Sequence, residues 1–166
     1  MRVLFVWLHV VAAAVWLGSM VFLALGVLPV LRRPEYRTVY GPILHAVGLR
    51  IRWIGWAALA VLVLTGLHNL AALGFGWSHV VSGQIWAGPF GRALAWKLGL
   101  IGGIVGLNLL HDLWFGPRVT RGWQTDPSDP SLRWVRPAAA WVGRLVVLLT
   151  LAVFYLGVTL TRGGLP

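Results

Sequence analysis

The chain has 166 residues, 58% of them apolar and 11% charged, with a mean hydropathy of +0.80 and no cysteine. Soluble domains carry about 25% charged residues, so this is the composition of a membrane protein, and four spans of about 20 residues each plus their connections use the whole length. No soluble catalytic domain fits beside them; the missing cysteines exclude disulfides, c-type haem attachment, iron–sulfur clusters and a thiolate copper site, and a formal charge of +10 set between apolar runs is what anionic lipid and the positive-inside rule select, not a nucleic-acid footprint.

The first apolar run covers residues 3–30, interrupted only by His9 and Ser19, and stops at Pro29 and Leu31-Arg32-Arg33-Pro34. A signal peptide's apolar region is about 7–15 residues, so this run reads as a retained helix. A basic segment from Arg32 to Arg52 follows, within which residues 36–49 form either an interfacial helix or an extension of the second span. That span covers 51–73 and closes at Gly74-Phe75-Gly76. After an outer loop over 74–91, the third span runs over 92–115 to Gly116-Pro117. A polar loop over 116–137, turn-rich at Thr125-Asp126-Pro127-Ser128-Asp129-Pro130, leads to the fourth span at 138–160, closed by Gly163 and Gly164. The expected fold is all-α: one four-span domain, an antiparallel up-down four-helix bundle.

Orientation follows from the basic residues. The first and third connections carry Arg32, Arg33, Arg37, Arg50, Arg52, Arg118, Arg121, Arg133, Arg136 and Arg144, whereas the opposite side has only Arg2, Arg92, Lys97 and Arg162. This imbalance places both termini outside the cytoplasm of a bacterial cytoplasmic membrane. Most of the 11 Trp residues fall near span ends as an aromatic belt; Trp16, near the middle of the first span, either packs between helices or covers a planar ligand.

Ionisable groups inside lipid are costly, so each should face the bundle interior or reach an interface. His9 on the first span and His68 on the second lie at nearly one depth, roughly 8–10 Å from the outer end at 1.5 Å per residue. Two imidazoles so placed on antiparallel neighbours suit the axial positions of haem b. Ala12, Ala13, Trp16 and Met20 continue the face of His9, and Thr65 and Gly66 precede His68, leaving room for a macrocycle. In the third span Lys97, Ile101, Ile104, Asn108 and His111 share one face. Lys97 either snorkels outward or serves as proton carrier, counter-charge to a haem propionate, or axial ligand. Tyr155 is a proton donor to this outer site or an interfacial aromatic. On the inner side His45 and His111 either hold a second haem or sit as interfacial histidines among arginines. His79, with Trp77, Gln84 and Trp86, meets a quinone headgroup or a partner, or is ordinary loop polarity.

The segment Trp7-Leu8-His9 to Trp16-Leu17-Gly18, with Thr65-Gly66-Leu67-His68, Ala95-Trp96-Lys97-Leu98, Leu110-His111-Asp112 and Gly116-Pro117-Arg118, resembles the CopD-like family of small bacterial membrane proteins. That resemblance implies copper uptake or resistance with a periplasmic copper-binding partner, although Met1 and Met20 are the only thioethers here. His9, Trp16 and Lys97 are also similar to residues that matter in HemJ-type protoporphyrinogen oxidases, haem-containing four-helix membrane proteins whose Tyr-Leu-Pro-Arg signature is absent after Trp16. The expectation carried forward is a haem b protein with His9 and His68 as axial ligands, passing electrons between a membrane quinol and an acceptor such as a periplasmic redox protein. Copper transport, porphyrinogen oxidation and a purely structural role are the alternatives; oligomeric state is left open.

Overall fold

The computed structural model describes residues 2–119, 130 and 132–165, with the backbone alone at Trp77. Four helices are long and apolar enough to cross a bilayer: α1 (Arg2–Leu31), α2 (Tyr40–Ala72), α4 (Gly88–Val119) and α5 (Leu132–Thr161). A five-residue helix, α3 (Trp77–Val81), sits in the loop between α2 and α4. Among the described residues there is no strand. Consecutive long helices run antiparallel, so α1 begins and α5 ends on the same face, called here the terminal side; the opposite face is the Arg-rich side. The turn-rich stretch from Thr125 to Asp129, and Arg121, lie outside the described residues.

All four helices outlast the apolar runs that announce them. Of the two readings for residues 36–49, the extension holds from Tyr40 onward, making α2 33 residues, or about 50 Å at 1.5 Å per residue. That exceeds the roughly 30 Å of hydrocarbon in a bilayer, so α2 projects on the Arg-rich side. The third helix starts at Gly88 rather than 92 and does not stop at Gly116-Pro117.

In α1 and α4 two π-turns, at Phe22–Val27 and His111–Phe115, accommodate a proline. A proline inside a helix lacks an N–H, and its ring collides with the carbonyl four residues earlier. For Pro29 that residue is Leu25 and for Pro117 it is Leu113, and both lie within a π-turn. The widened turn moves the offending carbonyl aside, so the helix passes through a proline that normally ends it.

Packing divides the bundle into two hairpins, α1 along α2 and α4 along α5, which approach each other chiefly where α1 meets α5. Trp16 spans the seam between them. It is 5% exposed, lies 3.6 Å from the place a Cβ would occupy at Gly55 on α2, and donates from Nε1 to Thr150 Oγ1 on α5 at 3.4 Å. Ala58, Ile104 and Val146 join it in the buried core. Large side chains such as Leu25, Leu64 and Leu113 point outward, as a lipid-facing surface requires. With no hydrophobic drive between helices in lipid, such close packing and cross-helix hydrogen bonds carry the association.

On the terminal side Leu165 packs against the start of α4. Leu165 N–H donates to Pro89 O at 3.2 Å, and Phe75 stacks on Phe90 with centroids 5.3 Å apart. Gly91 admits no side chain, because a Cβ there would collide with the backbone of Ile85 and Trp86.

Candidate functional site

Polar groups gather in two layers of the bundle, one on each side of Trp16. In the terminal-side layer His9 projects from α1 onto α2, where its Nδ1 lies 2.8 Å from Thr65 Oγ1. The Thr65 hydroxyl spends its own hydrogen on Val61 O at 2.6 Å, so it accepts from His9 Nδ1–H. That hydrogen bond fixes the tautomer and leaves Nε2 as the lone-pair nitrogen. Gly66 leaves space for the ring: a Cβ there would sit 3.5 Å from His9 Cε1.

Lys97 faces the same layer from α4. Its Nζ lies 3.6 Å from the place a Cβ would take on Gly157 of α5, so the amine turns inward across a missing side chain instead of running to the surface. It makes no hydrogen bond or ion pair with any described residue, while lying close enough to His9 for their charges to interact. One turn from Thr65 on the same face of α2, Asn69 holds a buried Oδ1 with no partner among the described residues. Sequence reasoning passed over Asn69, and the only signal was its i+4 spacing from Thr65.

His68 is placed differently. Its ring stacks on Phe5 with centroids 3.6 Å apart and planes inclined by 23°. Phe5 is one turn outside His9 on α1, so His68 sits about 6 Å nearer the terminal surface than His9, and each ring is engaged by a different partner on the facing helix. Both rings are thus held within the α1–α2 hairpin, His9 by Thr65 and His68 by Phe5. Ala13 is half-buried one turn below His9. Tyr155 is 65% exposed on the outer face of α5 and is not gathered into the layer. In the loop, His79 Nδ1 accepts from Gly76 N–H at 3.2 Å, a capping contact for α3.

The Arg-rich layer centres on Asp112, within the π-turn of α4. Its Oδ2 accepts from Trp56 Nε1 at 3.0 Å, while Arg52 Nε and His111 Nδ1 each lie 3.4 Å from Oδ1. The Arg52 contact is an ion pair by distance without hydrogen-bond alignment at Nε. This carboxylate ties α2 to α4 where the hairpins otherwise touch little. Asp112→Ala strands the indole N–H and the guanidinium together and is expected to cost about 1.5–3 kcal/mol, the range for a hydrogen bond to a charged group. A denaturant titration in mixed micelles measures it; a loss below about 0.5 kcal/mol would mean that water replaces the carboxylate. His45 is exposed on the projecting end of α2, and no described contact joins it to His111. Asn108 returns its amide to Ile104 O at 2.8 Å. Among the described residues no group of three or more His, Asp or Glu side chains converges as for a bare metal ion.

Four apolar spanning helices in a bundle, with lipid-facing surfaces and polar layers confined to its interior, define an α-helical multi-pass membrane protein. The chain belongs to the family described as "Domain of unknown function (DUF4149)", whose profile matches residues 11–127. It is also 33% identical over 165 residues, covering 98% of this chain and 97% of the relative, to a protein of Aquifex aeolicus (strain VF5) named "Uncharacterized protein". Neither name refers to copper resistance or porphyrinogen oxidation. No solved structure matches.

Proposed function

We infer that this chain binds haem b in the terminal-side layer and carries electrons within a bacterial cytoplasmic membrane, its Arg-rich side facing the cytoplasm. The observation that carries the reading is the donor set at the seam. His9 has its Nδ1–H tied to Thr65, the outer-shell arrangement that orients a ligating imidazole and leaves Nε2 for a metal. Lys97 turns an amine without a described anionic partner into the same layer, and an uncompensated cation at that depth calls for an anion. Haem b brings an iron that takes an imidazole nitrogen and carboxylates that take an ammonium, so the residues fit the group.

In this reading His9 Nε2 would hold the iron, Lys97 would neutralise a propionate, and Trp16 would floor the site. The iron, when bound, supplies one-electron chemistry; the chain's residues orient it and exclude water. His68, engaged by Phe5, would in this reading be left outside the ligand set. A quinol in the bilayer and a periplasmic acceptor are the matching redox partners.

An absorption spectrum of the purified protein, oxidised and dithionite-reduced, with a pyridine haemochrome assay, tests this. The expected result is a Soret band with about one haem per chain and the broad reduced bands of iron with a single strong protein ligand. A preparation that stays colourless after haem is supplied overturns the reading, and bound copper without a Soret band would favour copper handling instead.

A further inference from the structure

On the Arg-rich side, α1 and α2 part around an apolar groove of about 400 Å³. It is lined by Ser19 and Phe22 of α1 and by Ala46, Val47, Ile51 and Ile54 of α2, and its one charged lining residue is Arg50. The π-turn beginning at Phe22 widens α1 where the groove opens. The Phe22 ring lies back over Gly26, 3.3 Å from where a Cβ would be, so it walls the groove instead of filling it. The Ser19 hydroxyl is bonded to Trp16 O at 2.8 Å, which leaves the surface greasy. Arg50 is exposed and forms no ion pair with a described residue.

The depth of Arg50 is informative. It lies about 33 Å along α2 from Ala72 on the terminal side, close to the roughly 30 Å thickness of the hydrocarbon. A guanidinium at that height meets the phosphate layer, beside apolar side chains that reach into the acyl region. The connection at this end also carries Arg32, Arg33 and Arg37. A basic group at the mouth of an apolar groove between spanning helices is the arrangement that holds anionic lipid headgroups.

We propose that this groove is a binding site for one anionic phospholipid, an acyl chain lying against Ala46, Ile51 and Ile54 and the phosphate on Arg50. The site is separate from the His9–Lys97 layer and does not depend on what that layer binds. Native mass spectrometry of the full chain in neutral detergent, titrated with phosphatidylglycerol or with phosphatidylcholine of the same acyl chains, tests it. One phosphatidylglycerol is expected to bind about fivefold more tightly than phosphatidylcholine, the preference that one basic residue at the surface confers. Arg50→Gln should abolish that preference, Ala46→Trp should displace both lipids by filling the groove, and Arg33→Gln should leave the preference intact. Equal affinity of the two lipids for the unaltered chain overturns the proposal. So does a preference that survives Arg50→Gln, or one that Arg33→Gln removes equally, because either would make the attraction diffuse.

Discussion

His9→Ala is expected to abolish haem binding, while His68→Ala leaves the Soret band and stoichiometry unchanged. The contrast follows from the partners of the two rings. His9 is oriented by Thr65 Oγ1 at 2.8 Å, which leaves Nε2 to ligate, whereas His68 is stacked face to face on Phe5. Thr65→Val should retain haem but loosen it, since it removes the acceptor that aligns the ring; outer-shell losses of this kind weaken metal affinity by about 10–100-fold. Lys97→Met would remove the charge-assisted contact proposed to a propionate, expected to be worth about 1.5–3 kcal/mol, or about 10–100-fold in haem affinity. Haem titration of the four purified variants separates these outcomes. If His68→Ala bleaches the protein and His9→Ala does not, the assignment of the ligand is reversed.

Trp16→Ala carries the largest expected loss of stability, about 3–5 kcal/mol, the cost of deleting a buried Trp side chain. The indole touches α2 at Gly55, α5 at Thr150 and the Ala58–Ile104–Val146 core, so no single helix can shift to fill the space it leaves. Trp16→Phe keeps most of the contact and gives up the hydrogen bond to Thr150, for which about 0.5–1.5 kcal/mol is expected. Unfolding in mixed micelles, followed by far-UV circular dichroism, reads both. Equal losses for the two variants would place the stability in the hydrogen bond rather than in the packing.

The four spans were legible because apolar runs of this length have no other stable home, and the inward turn of Lys97 was one of the options its position allowed. Depth counting put His9 and His68 together because it measures residues from a span end and is blind to rotation and stagger between helices. The facing residues decide that stagger: Phe5 takes His68, and Thr65 takes His9. The helices run past the apolar runs for a different reason. Gly116-Pro117 is a stop signal in an ordinary α-helix, and the π-turn beginning at His111, which has no distinct residue pattern, accommodates Pro117 there. Asp112 was visible as a polar residue near the end of a span, but its indole partner on α2 depends on how two helices meet across the seam, and no local pattern records that.

The Trp16 layer also divides the membrane voltage. With Arg2 at the edge of the hydrocarbon, His9 lies about 10 Å inside a slab of roughly 30 Å, so a unit charge brought to it from the terminal side crosses about a third of the field. That is worth about 0.8 kcal/mol for every 100 mV, against about 2.3 for a full crossing. If His9 holds a redox group as proposed, an electron or proton exchanged there from the terminal side would be only weakly geared to the membrane potential. The remaining two thirds of the potential drop falls across the Trp16 core and, beyond it, the layer in which Asp112 meets Arg52 and His111.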